Sequence, residues 1–167
     1  MSVSGGSAWC LGLDTTGQRL RVAITEVPAH GEPPILRYIV GCDRPLGRET
    51  SALAHPILQE LWEQAGNPPW STLAFVAVAT GPGSFTGTRV GVVSARTLGQ
   101  QLGTAVFAIA EADLIMGETV GENSEIPLFL PLLEEAWQRW QRGDRPSWQD
   151  AYPLYGNTYG GEGKPSP

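Results

Sequence analysis

Lysine is almost missing from this 167-residue chain; Lys164 is the only one. The formal net charge is −6, with 11 lysines and arginines in total. No basic cluster is available to neutralise a phosphate backbone, so this chain alone is not expected to hold nucleic acid. Histidine is equally scarce. His30 and His55 are far apart, which argues against a histidine-built metal site. Each is expected as an ordinary surface or cap residue, and no metal is expected. Cys10 and Cys42 form no C-x-x-C pair. They are expected as reduced, buried, small apolar residues in a cytoplasmic setting, with no support for a disulfide. No apolar run reaches the roughly 18 residues of a membrane helix. Residues 1–8 lack the basic and apolar regions of a secretory signal. No Gly-Lys-Ser/Thr occurs, which removes a Walker-type phosphate loop. No G-x-S-x-G occurs either, so a hydrolase nucleophile elbow is unsupported.

What the chain does have is concentrated between Thr80 and Gly103. An apolar run of strand length, Phe75 to Ala79, leads into Gly81, Pro82, Gly83 and Gly87. Those residues interrupt regular structure. A helical pattern begins near Thr86. Strand, glycine-rich turn and helix is an arrangement that aims free backbone N–H groups at an anion. Gly87, Gly91, Ala95, Gly99 and Gly103 then recur every fourth residue and share one helix ridge. A ridge without side chains admits another backbone. That backbone is either the protein's own sheet or a helix of a partner chain, and the partner is the favoured reading. Val90, Val93, Leu98 and Leu102 are then expected to face the home core.

The rest of the chain sorts around this unit. Trp9 to Asp14 reads as a strand, Arg19 to Val27 as a half-buried strand completing a hairpin, and Ile35 to Gly41 as a third strand. Leu53, Ala54, Ile57, Leu58, Leu61, Trp62 and Ala65 form a broad helical stripe. Pro56 lies inside it and is expected to kink it. After the small-residue helix, Thr104 to Ala110 gives another strand. The order β-β-β-α-β-α-β resembles one lobe of the actin-like (ASKHA, RNase H-like) ATPase fold, an α/β architecture. Residues 1–8 are expected to be disordered, 9–115 to form the lobe, 116–155 to hold a reduced appendage with one amphipathic helix, and 156–167 to be a disordered tail.

Several residues are candidates for chemistry. Asp14 ends the first strand, where a carboxylate can hold a metal or orient a water on phosphate. It can equally accept N–H bonds in a turn, which is the commoner role. Ser84 and Thr86 can contact phosphate or cap the helix that follows. Arg89 sits in the first helical turn, where its charge opposes the helix dipole. That placement suggests an acidic neighbour or a bound anion. With Thr15, Gly81 and Gly83, these residues make up the expected anion or nucleotide site.

Leu11 to Thr16 and, far more specifically, Gly81-Pro82-Gly83-Ser84-Phe85-Thr86-Gly87-Thr88-Arg89-Val90-Gly91 resemble the TsaB (YeaZ) family. The resemblance covers about residues 9–115. Pro153-Leu154-Tyr155 resembles the family's closing segment. It implies a non-catalytic scaffold that pairs with TsaD, with TsaE, an ATPase, joining them. Together these proteins place threonylcarbamoyl on the adenosine beside the anticodon of ANN-decoding tRNAs. The partner interface it implies lies on Leu53, Ile57 and Leu61 of the first helix, with Gly87, Val90, Gly91, Ser94, Ala95 and Leu98 of the second. Self-association is expected where that surface is bare. The resemblance implies no cofactor of this chain's own, although ATP or ADP at the complex is consistent with it. The family's second lobe is expected to be largely missing here, since only about 50 residues follow the last strand. The rival reading is an actin-like nucleotide-binding or phosphotransfer enzyme using Asp14 and the Gly81–Gly87 loop. The protease activity once given to the wider family finds no triad in this sequence.

Overall fold

The structure is a computed structural model and describes residues 7–28, 32, 35–114 and 130–155. The segment expected as an acidic linker (118–127), most of the expected N-terminal arm and the expected tail lie outside the described residues.

Five strands form one sheet in the order β3-β2-β1-β4-β5. These are β1 (Trp9–Asp14), β2 (Leu20–Glu26), β3 (Arg37–Arg44), β4 (Leu73–Gly81) and β5 (Ala105–Ala110). The first three are antiparallel neighbours, whereas β1, β4 and β5 run parallel. Helices make the crossovers into the parallel strands, from β3 to β4 and from β4 to β5. These are α1 (Thr50–Gln64) and α2 (Phe85–Leu102). A third helix, α3 (Leu130–Gln141), follows. The fold is the expected α/β, actin-like lobe. The third strand starts and ends a few residues later than the sequence suggests.

Alternation along the strands splits the core into two layers. Leu11, Leu13, Val22, Ile24, Val76, Val78 and Val106 face α1 and α2. Cys10, Ala23, Phe75, Ala77 and Phe107 face Leu132, Leu133 and Ala136 of α3. The helix expected as part of an appendage therefore covers the second face of the sheet and shares its core. α1 runs through Pro56 without ending, at the cost of the backbone bond its ring removes.

Burial decides the state of the cysteines. Both are free. Cys10 is fully buried, and Cys42 is half-buried rather than fully buried. Burial pushes the Cys10 thiol far up, against a smaller opposing effect of the Thr25 hydroxyl. A raised acid pKa keeps its stabilising effect below the unfolded value and loses it as the pH climbs. Stability is therefore expected to fall above the ordinary thiol value of 9.0, where only the unfolded chain ionises. Iodoacetamide should modify Cys42 of the native chain first and Cys10 only after denaturation. Peptide mass spectrometry reads that order.

Candidate partner face and glycine turn

The turn after β1 and the glycines of α2 form one unit. Asp14 accepts hydrogen bonds from Thr16 N at 2.9 Å and from Thr16 Oγ1 at 2.7 Å. Arg21 stands 3.8 Å from its other oxygen. This Asx-type turn projects Thr15 into α2. The Thr15 hydroxyl donates to Gly87 O at 2.5 Å and accepts from Gly91 N at 2.9 Å. It thus occupies the rung of the helix ladder between residues 87 and 91. A side chain at position 91 would put its Cβ 2.5 Å from Thr15 Oγ1. A Cβ on Gly87 would meet Thr15 O at 2.5 Å. The two glycines are required by a residue more than 70 positions upstream.

The rest of the small ridge is also spent at home. Ala95 is fully buried, and a Cβ on Gly99 would meet a Val106 methyl at 2.5 Å and Trp148 Cβ at 2.7 Å. The expected assignment of faces is corrected for the ridge and for Val93, whereas Val90, Leu98 and Leu102 pack against the home core as expected. Gly87, Gly91 and Ala95 pack on the protein's own sheet and turn, and Ile57 and Leu61 are buried in the home core. Four of these five are buried, and Gly87 is half-buried with its Cβ position blocked by Thr15 O. Val93, expected inside, is 55% exposed, and Phe85 is 59% exposed. Periodicity identifies residues that share a face; it does not say which face turns inward.

The outward face lies between α1 and α2. A groove of about 320 Å³ is lined by Ser51, His55, Phe85, Thr86, Arg89, Val90, Val93 and Ser94. Leu53 is 37% exposed on the same helix as His55. Val90 and Leu98 are half-buried. His55 is not in or beside a loop: it lies inside α1, and its Nε2 is 2.8 Å from Ser94 Oγ. Ser94 Oγ donates to Val90 O at 2.7 Å. The His55–Ser94 contact ties α1 to α2.

The glycine turn is closed in the same way. Ser84 caps α2 by accepting from Gly87 N at 3.1 Å. Its own N–H donates to Thr16 O at 2.9 Å. Gly81 has φ of 101°, and a Cβ there would meet Leu154 O at 2.6 Å. Leu154 N donates to Thr80 O at 2.7 Å, and Gly83 bridges to Tyr155. Thr86 is exposed. The Arg89 guanidinium lies over the Phe85 ring, 5.2 Å from its centroid, and no carboxylate among the described residues pairs with it. Of the expected anion site, Asp14, Thr15 and Ser84 have their polar groups engaged within the turn, while Gly81 and Gly83 are lined by chain. Thr86 and Arg89 are the members of that expected site left exposed, beside the N-terminus of α2.

One partner of this turn is not evident from local sequence. Arg96 donates to Gln149 O at 3.2 Å and Ala151 O at 2.7 Å. It sits over both Trp148 and Tyr152, each 5.2 Å to the ring centroid. That clamp holds the segment whose next residues close the glycine turn. Only Pro153-Leu154-Tyr155 signalled it.

A model of the family TsaD, tRNA N6-adenosine threonylcarbamoyltransferase, matches residues 46–134. That span holds α1, the glycine turn, α2 and β5, and it is more than half of the chain. The chain belongs to this family. Within it, the architecture is TsaB-like. Two solved structures from Pseudomonas aeruginosa each cover 89% of this chain and 99% of their own length. One is an uncharacterized protein with similarity to peptidase YEAZ, at a TM-score of 0.67 and 17% identity. The other is YeaZ, at a TM-score of 0.66 and 18% identity. They share the fold of this family member. Uncharacterized proteins of Mycobacterium bovis and Mycobacterium tuberculosis are 45% identical over 48 residues. That match spans 29% of this chain and 23% of those relatives' length. No helix among the described residues is long and apolar enough to cross a membrane.

The Thr15 rung is the hinge of the site. Thr15→Val removes both its hydrogen bonds while keeping its shape. The loss strands a buried N–H or C=O, each worth about 1–3 kcal/mol. A lower urea midpoint with an unchanged slope, corresponding to that loss of unfolding free energy, is the expected result.

Proposed function

We propose that this chain is a non-catalytic scaffold subunit of a tRNA-modification system. It pairs with a TsaD-type transferase, joined by a TsaE-type ATPase, for threonylcarbamoyl transfer to the adenosine beside the anticodon of ANN-decoding tRNAs. The observation that carries the reading is the α1/α2 face. There Phe85 and Val93 stand exposed around an open groove. Exposed apolar surface of this kind favours a partner. The contact surface is this outward face and not the glycine ridge. The family match and the YeaZ-like architecture support a TsaD-type partner. In the partner's absence the same face supports self-association.

The rival reading, a nucleotide-binding or phosphotransfer enzyme, has less support, because Asp14, Thr15 and Ser84 are already engaged. Co-elution of this chain with a TsaD-type transferase on size exclusion tests the proposal. Calorimetry with ATP and Mg²⁺ on the chain alone tests the rival. Binding that Asp14→Ala abolishes would favour the rival.

A further inference from the structure

The groove between α1 and α2 is apolar except at one end. Arg89 is the one arginine that lines it, and no carboxylate does. Acidic residues outnumber basic ones in this chain, 17 to 11, so counter-charge is not in short supply. Arg19, Arg21, Arg37, Arg44 and Arg139 each have a carboxylate within ion-pair distance. Arg89 has none among the described residues. It is exposed, and its guanidinium lies over the Phe85 ring. A ring attracts a cation but does not neutralise it. Arg89 also stands near the N-terminus of α2, where the helix dipole disfavours a positive charge. Val93 follows it by one helical turn on the same wall. Whatever buries Val93 and Phe85 must therefore also meet Arg89, and covering that charge unpaired is costly.

We propose that the transferase-type partner sets an aspartate or glutamate on Arg89, beside the apolar side chains that cover Val93 and Phe85. This ion pair selects the transferase over a second copy of this chain. The inference rests on the scaffold reading above and adds the chemistry of the partner surface. A guanidinium holds a carboxylate through two parallel N–H···O bonds, which fixes the register of the docked surface as well as its charge. A second copy docked groove to groove brings another Arg89 and no lining carboxylate.

Two variants of the full chain test it against a TsaD-type transferase. Arg89→Glu is expected to weaken the complex at least ~10-fold. The free variant should melt like the native chain, since an exposed acid near a helix N-terminus is not destabilising. Arg89→Lys supplies an amine for zero-length carbodiimide cross-linking, and Lys164 is the chain's only other lysine. Peptide mass spectrometry should find position 89 of that variant joined to an aspartate or glutamate of the transferase. Equal affinity of the native chain and Arg89→Glu would overturn the proposal and leave the scaffold reading standing. So would a cross-link from position 89 to a second copy instead, or none in an Arg89→Lys complex of native strength. Weaker ATP binding in Arg89→Glu beside an unchanged complex would assign the charge to a phosphate and overturn it too. No association of the native chain with the transferase would remove the scaffold reading and this inference with it. Should Arg89→Lys bind too weakly to cross-link, the charge reversal decides the matter.

Discussion

Gly91→Leu is expected to abolish the folded state. Its Cβ would stand 2.5 Å from Thr15 Oγ1. Thr15 cannot withdraw, since it is 1% exposed and its turn is fixed by Asp14. The leucine also expels the hydroxyl from its rung between Gly87 O and Gly91 N. Overpacking a tight site costs about 1–3 kcal/mol. Stranding buried backbone groups adds about 1–3 kcal/mol for each. Those sums approach the roughly 5–15 kcal/mol that holds a domain folded. Far-UV circular dichroism should show no cooperative melt. A melting temperature within a few degrees of the native chain would mean that Thr15 does not dock as described. Loss of a partner complex in this variant would therefore report on folding and not on contact.

Val93→Asp is expected to do the opposite. Val93 is 55% exposed on the groove wall, so an aspartate there faces water in the free chain. Surface changes of this kind move stability by no more than about 0.5 kcal/mol. In a docked complex the carboxylate would be desolvated against an apolar partner surface, a cost that Arg89 one helical turn away offsets only in part. Affinity for the transferase should fall at least ~10-fold, which corresponds to ~1.4 kcal/mol. Parallel thermal melts separate this outcome from unfolding.

The sequence carried the topology because each element had a local signal. Alternation marked β2, the apolar run marked β4, and Ser84 marked the start of α2, whereas Gly103, expected on the small ridge, is the left-handed residue that ends the helix. The glycine spacing correctly marked a close approach along one ridge. It did not identify what approaches, because Thr15 lies 72 residues from Gly87 and 76 from Gly91. An aspartate followed by two threonines is an ordinary turn until the fold brings it to a helix. The same distance hid the Arg96 clamp, whose carbonyl partners lie 53 and 55 residues downstream. The small-residue ridge takes the sheet together with Val92, while Val90, Leu98 and Leu102 pack beside it. Val93 alone of the expected core residues of α2 is left on the outer face. The role of α3 was equally open in the sequence. Its stripe of Leu132, Leu133 and Ala136 specifies burial, and only the uncovered sheet face containing Cys10, Phe75 and Phe107 says where.

Sedimentation velocity of this chain mixed with a TsaD-type transferase, beside the Val93→Asp variant, tests the scaffold reading most directly. A faster-sedimenting complex is expected for the native chain and its loss for a variant that still melts normally. Separate boundaries for the native mixture, or an equally stable complex with Val93→Asp, would contradict it.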